Sequence, residues 1–200
     1  MKNKEGEVFY VGKAKNLKSR VESYFANRYD VDEKGKKVLS DIYDLQIETT
    51  GSELEALLLE NKYINQYQPE LNRQFKIHHL KEQKYLERRV IAFLPSQMLN
   101  TITLFLVNGI KSAIRYSFNK DKPDIIVLKN TVQQFFFKNS KNENSFSSEQ
   151  IEIIWRWLYL NKNKVNFFNV DDCGTLDKCL EITRRYISEN KLFLEKIHHC

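Results

Sequence analysis

Tyr10-Val11-Gly12-Lys13-Ala14-Lys15-Asn16-Leu17-Lys18-Ser19-Arg20-Val21-Glu22-Ser23-Tyr24-Phe25 changes its periodicity partway along. Val8 to Val11 is β-prone, Gly12 breaks the run, and Leu17, Val21 and Tyr24 then recur at helical spacing. The pattern predicts a strand, a glycine turn, and a helix capped by Asn16 and reaching about Arg28, with Arg20 beside its apolar stripe. Downstream, the charged stretch Tyr29 to Lys37 with Gly35 reads as a loop. Val38, Ile42 and Leu45 suggest a short helix, and Leu45 to Thr49 a returning strand.

Ser52-x-x-Glu55 ahead of Leu57-Leu58-Leu59 is a capping-box pattern, so a second well-marked helix begins there and stops before Pro69. Leu54, Leu57, Leu58 and Ile64 share one arc, and Glu60 falls at its margin. A carboxylate at such a margin is partly covered by protein yet open to a cleft.

The second half opens after a basic seam: Arg73, Lys76, Lys81, Lys84, Arg88 and Arg89 stand against Glu82 and Glu87 alone. Thr101 to Phe118 alternates about Asn108-Gly109, which predicts a β-hairpin closed by a type I′ turn. Ile125 to Leu128 and Val165 to Val170 read as further strands, and Lys138 to Ser148 as a loop. Ser147-x-x-Gln150 caps a helix with Ile151, Ile154, Trp155 and Leu158 inward, and a last helix spans about Thr175 to Glu189 with Leu176, Cys179, Leu180 and Ile187 inward. Trp155 and Trp157 cannot share one helix face, so one is expected in the core and the other exposed or at a contact. Phe135-Phe136-Phe137 reads as core.

Two hundred residues with 42% apolar and 29% charged content describe a folded chain of one large or two small domains. A net charge of +6 and a pI near 9.1 favour a polyanionic partner, nucleic acid first. Apolar runs such as Val90 to Leu94 are far shorter than the roughly 18 residues of a membrane span. The polar stretch Met1 to Glu7 has no apolar signal region, so the expected compartment is the cytoplasm. Cys173, Cys179 and Cys200 form no C-x-x-C pair and read as reduced. His78-His79 and His198-His199-Cys200 lack partners at metal-ligand spacing.

The ordered set Tyr10-Val11-Gly12-Lys13, Asn16-Leu17, Arg20-Val21 and Tyr24-Phe25, then Thr50-Gly51-Ser52-Glu53-Leu54-Glu55-Ala56-Leu57-Leu58-Leu59-Glu60, then Pro69-x-x-Asn72, resembles the GIY-YIG endonucleases, specifically the catalytic domains of the UvrC and Cho type. Taken singly, each of these residues has an ordinary explanation: a half-buried strand tyrosine, a solvated helical glutamate or arginine, a turn asparagine. Their joint order across two separated blocks is what carries the likeness, over about Gly6 to Asn72.

The resemblance implies a nuclease domain at 1–76 with a small antiparallel sheet flanked by helices; with the charged seam read as a basic linker at 77–89 and the hairpin-then-helix pattern as a second α+β domain at 90–200, the expected chain is α/β of α+β type. The later half bears a weaker likeness to the tails of Cho-like nucleases, or of proteins joining a proofreading-type exonuclease to such a domain. The resemblance of the first block implies metal-dependent single-strand incision of DNA in excision repair, with a UvrB-like loading protein as a partner and one Mg²⁺ or Mn²⁺ held by Glu60. Tyr10 is implied as general base; a free phenol titrates near pH 10, so that role needs cationic neighbours. Arg20 is implied to clamp the phosphate, Lys13 to assist the phenol or contact a phosphate, and Tyr24 and Asn72 to orient groups. Lys13, Lys15, Lys18, Arg20, Arg73 and Lys76 are the expected DNA-backbone contacts.

In one respect the sequence departs from the family. The first motif, a Gly-Ile-Tyr strand, belongs upstream of Val8, and Met1 to Glu7 holds neither an apolar strand nor a tyrosine. A chain truncated at its start is the expectation, with an exposed sheet edge. The competing expectation is a catalytically inactive DNA-binding or adaptor module built from the same residues. A site-specific homing or restriction enzyme would need a DNA-reading module in the second half, and no helix-turn-helix or zinc pattern stands there.

Overall fold

The computed structural model describes residues 1–26, 33–72, 88–138 and 145–188. Its architecture is α+β, and the chain divides into two compact units, the first within 1–78 and the second within 79–196. The seam 73–87, and with it Arg73, Lys76 and His78-His79, lies outside the described residues, as does His198-His199-Cys200.

The first unit is built from three helices: α1 (Leu17–Ala26), α2 (Glu33–Asp41) and α3 (Glu53–Tyr67). Asn16 starts α1 as expected: its side chain accepts from Ser19 N–H at 2.8 Å and its carbonyl from Arg20 N–H. Helix α2 begins before the expected place, because Glu33 to Lys37 is helical rather than loop and ends before Ile42. Gly35 is buried within it and Val38 belongs to the core, so packing outweighs glycine's poor helix propensity. At α3 the Ser52 hydroxyl accepts from Glu55 N–H, while the Glu55 carboxylate reaches Gly51 N–H, one residue ahead of the cap. The helix ends at Gln68, whose N–H still donates to the Ile64 carbonyl while its positive φ of 47° turns the chain out of the helix.

The strand expected at 8–11 is reduced to an isolated bridge at Val8, and 45–49 forms no strand, the nearest bridge being at Asp44. Lys2 pairs antiparallel with both Val8 and Asp44, so the segment around it runs between two others. Met1 carbonyl accepts from Phe9 N–H, and the Met1 ammonium donates to the Tyr10 carbonyl at 2.9 Å. The polar residues at 1–3 therefore take part in strand-like pairing through their backbone, which side-chain pattern alone does not reveal. Phe9, Tyr10, Tyr24 and Val38 form the core of this unit, with Met1, Leu39, Ile42 and Leu71 against it. A 3₁₀ turn, Glu70–Asn72, closes the unit: Leu71 N–H donates to the Phe9 carbonyl and Lys37 pairs with Glu70.

The second unit holds a four-stranded antiparallel sheet in the order β3-β2-β1-β4, with β1 (Arg89–Pro95), β2 (Thr101–Asn108), β3 (Ser112–Asn119) and β4 (Asn166–Asn169). In register, Ile91 opposes Leu106, which opposes Ile114; Phe93 opposes Leu104, which opposes Tyr116. These residues join one core with α4 (Ile125–Phe137) and α6 (Leu176–Ser188). The alternate residues Val90, Ala92, Phe105 and Val107 are also buried, so both faces of β1 and β2 are covered. α5 (Ser148–Leu160) begins with the expected capping box, and Trp155 Nε1 donates to the Gly109 carbonyl at 2.9 Å.

Several expectations change here. The hairpin turn has three residues between Asn108 and Ser112, and of Asn108 and Gly109 only the glycine has positive φ, so it is not type I′. Ile125 to Leu128 starts a helix, because Asp124 accepts from Ile126 and Val127 N–H and caps α4. Both tryptophans are buried, as Trp157 widens the inward arc of α5 beyond the stripe of Ile151, Ile154, Trp155 and Leu158. Phe135 and Phe136 are core, whereas Phe137 is exposed at the end of α4.

Candidate active site

Every candidate in the first unit that the structure describes, Lys15 and Lys18 excepted, touches the four-residue segment Tyr10–Lys13 or a side chain borne on it. The Tyr10 side chain folds back over Gly12. A Cβ on Gly12 would lie 2.6 Å from the Tyr10 hydroxyl and 2.9 Å from its Cζ, so glycine is what permits this approach.

One turn of α1 supplies the surroundings of that hydroxyl. Arg20 and Tyr24 are four apart and share a helix face. Tyr24 donates its O–H to the Tyr10 oxygen at 3.2 Å, with the two rings edge to face at 6.3 Å. The Arg20 guanidinium lies 5.1 Å from the centre of the Tyr24 ring, and its charge acts on both phenols. Its interaction with Tyr10 raises the Arg20 pKa further, so its charge is fixed. Burial, then the Tyr10 hydrogen bond, hold the Tyr24 phenol well above its ordinary value of 10.0, so Tyr24 remains a neutral donor.

Helix α3 approaches the same segment from another direction. Glu60 is half-buried, and its Oε1 accepts from Lys13 N–H at 3.1 Å. The Lys13 ammonium meets Glu53 Oε1, also at 3.1 Å. Asn72 grips Val11 on both sides: its Oδ1 accepts from Val11 N–H at 2.9 Å and its Nδ2 donates to the Val11 carbonyl at 2.8 Å. Asn72 is 3% exposed, so its side of this pair of bonds is buried, while Val11 is partly exposed. The pair explains an asparagine after the proline turn better than turn chemistry does.

Lys15 and Lys18 are exposed on the surface, Lys18 within 3.9 Å of Glu22 one helical turn on. Arg73 and Lys76 lie outside the described residues. Glu53 is the residue that sequence reasoning missed as a site member. Its signal was a spacing of seven from Glu60, two turns along one face of α3, hidden behind the ordinary reason for an acid in a helix's first turn. Among the described residues no group of three or more His, Cys, Asp or Glu gathers as a metal cage. A single carboxylate such as Glu60 is the donor set of a hard cation that keeps most of its coordination for water and phosphate.

Comparison with known proteins bears on the first unit. A family profile described as the UvrC-like GIY-YIG domain matches residues 1–73. The region is 51% identical over 71 residues to the UvrABC system protein C of Methanococcus maripaludis, covering 36% of this chain and 13% of that protein. It is 48% identical over 71 residues to the protein of the same name from Chlorobium chlorochromatii, at 36% and 11% coverage. It is 50% identical over 72 residues to that of Vibrio cholerae serotype O1, strain M66-2, at 36% and 12% coverage. The match thus spans only about an eighth of the length of these relatives. No solved structure matches the chain.

Proposed function

We propose that residues 1–73, a UvrC-like GIY-YIG domain, hydrolyse a phosphodiester bond in one strand of DNA, as a step of nucleotide excision repair. The observation that carries this is the convergence of Tyr10, Arg20, Tyr24, Lys13, Glu60 and Asn72 on the segment Tyr10–Lys13. The proposal includes a DNA substrate, a UvrB-like loading partner and a cytoplasmic setting. Among the described residues no helix is long and apolar enough to cross a membrane. It treats 1–76 as the nuclease domain, 77–89 as a basic linker and 90–200 as a separate domain.

Hydrolysis needs an activated water, stabilisation of charge on the phosphate, and help for the leaving oxygen. Glu60 would hold Mg²⁺ or Mn²⁺, which when bound stabilises the charge that grows on phosphate and leaving oxygen. Tyr10 would take the proton of the attacking water on its phenolic oxygen, as that water's oxygen bonds to phosphorus and the ester P–O bond breaks. Tyr24, which donates to the Tyr10 oxygen, and the neighbouring Arg20 charge would hold the phenolate that performs this step. Arg20 would also meet the phosphate, and Lys13, Lys15, Lys18, Arg73 and Lys76 the neighbouring backbone. Asn72, through Val11, keeps the segment that bears Tyr10 and Lys13 in place.

A plasmid-nicking assay in Mg²⁺ or Mn²⁺ tests the assignment. Glu60→Gln is expected to nick at least about 100-fold more slowly than the parent chain. Equal nicking by the two would reject the catalytic role of Glu60. Salt-sensitive DNA binding with no turnover in the parent chain would replace the nuclease with the adaptor.

A further inference from the structure

Glu53 has no part in the scheme above, yet it holds one of that scheme's charges. Glu53 and Glu60 lie two turns apart on α3, which at 1.5 Å per residue is about 10 Å along the axis. Lys13 links them: its backbone N–H meets Glu60 Oε1 and its ammonium meets Glu53 Oε1. The lysine stem therefore lies along the helix, its head carried away from Glu60 toward the N-terminal end of α3. The two side chains are 30% and 28% exposed, a wet ion pair of a kind that adds little stability. What such a pair does supply is direction. A flexible lysine stem held at both ends places its charge at one spot beside Glu60 instead of sweeping through solvent.

We infer that Glu53 is a positioning residue that holds the Lys13 ammonium along α3, where it receives a DNA phosphate adjacent to the one at Glu60. This rests on the nuclease reading of the same site. The carboxylate that aims Lys13 also repels the backbone it serves, so it weakens ground-state binding while favouring reaction. Removing its charge should thus move binding and turnover in opposite directions, which a merely structural residue would not do.

The experiment compares the full chain with Glu53→Gln, Lys13→Ala and the double variant. Two readings are made: single-turnover nicking of supercoiled plasmid in Mn²⁺, and binding of a fluorescein-labelled DNA duplex without divalent metal. Glu53→Gln is expected to nick about tenfold more slowly and to bind the duplex about threefold more tightly. In the Lys13→Ala background turnover should not respond to Glu53→Gln, and the gain in binding should shrink to what the carboxylate's own repulsion of the backbone accounts for. Lys13→Ala alone should lose at least as much turnover as Glu53→Gln, and a smaller loss overturns the inference. So does unchanged turnover in Glu53→Gln, or the same loss in both backgrounds. Should the parent chain fail to nick, the nuclease reading falls, and the duplex titration decides separately. A gain in binding that is larger with Lys13 present than in Lys13→Ala sustains the role of Glu53 in setting that lysine toward phosphate, and no gain, or the same gain in both backgrounds, refutes it.

Discussion

Gly12 and Tyr24 control one phenol from opposite sides. With a methyl group at position 12 the Tyr10 hydroxyl must move, since 2.6 Å is well inside contact distance. Gly12→Ala should therefore lower nicking by about 100-fold through displacement of the reacting group. The cost in stability should be smaller, about 1–3 kcal/mol as for other overpacked sites, measured by urea unfolding. Tyr24 predicts a pH effect. Its phenol is held above its ordinary value of 10.0 by burial and by the Tyr10 hydrogen bond. The stability from that neutral phenol is complete below pH 10 and is lost as pH rises toward the folded-state value. Urea midpoints taken on either side of pH 10 should fall with alkali in the parent chain and fall less in Tyr24→Phe. Equal alkaline losses in the two proteins would show that Tyr24 is not the group concerned.

Elements are held to the site by few contacts, and the turn Glu70–Asn72 is the clearest case. Asn72→Ala would leave both the N–H and the C=O of Val11 without their partner. Orphaned buried groups cost about 1–3 kcal/mol each, and because Val11 is partly exposed the loss expected by chemical denaturation is in the lower part of that sum, roughly 2–4 kcal/mol. Nicking should fall with it, because the segment bearing Tyr10 and Lys13 loses its clamp. How legible such elements were depended on whether a local signal named them. α3 and α5 announced themselves through Ser52 and Ser147, whose hydroxyls do cap the chain. β1 gave no alternation to read, because Val90 to Leu94 is buried on both faces. The β-branched start of α4 looked like a strand until the Asp124 cap is taken into account. The bridges of Lys2 had no side-chain pattern at all, being made by backbone groups. At the candidate site, Tyr10, Lys13, Arg20, Tyr24, Glu60 and Asn72 were legible from their order. Glu53 was not, since an acid in a helix's first turn already has a reason to be there.

At the scale of the molecule, the two units carry separate reporters. Cys173 and Cys179 are both buried beside the sheet of the second unit, and burial pushes the Cys179 thiol up to about 12 from an ordinary 9.0. Its neutral form adds stability that is complete below pH 9 and drains away as pH climbs toward 12. In a Cys200→Ser background these two thiols should resist a soluble disulfide reagent at neutral pH and react only as the second unit opens. Fast stoichiometric labelling of the native protein would contradict this. The two tryptophans of the chain, Trp155 and Trp157, also sit together on α5 with their indoles out of water. Fluorescence excited at the red edge of the ultraviolet will consequently watch the sheet unit melt while the unit bearing Tyr10 unfolds in the dark. A single sharp emission transition is thus no evidence that both units have come apart, and tyrosine absorbance is the channel in which the other half can be seen.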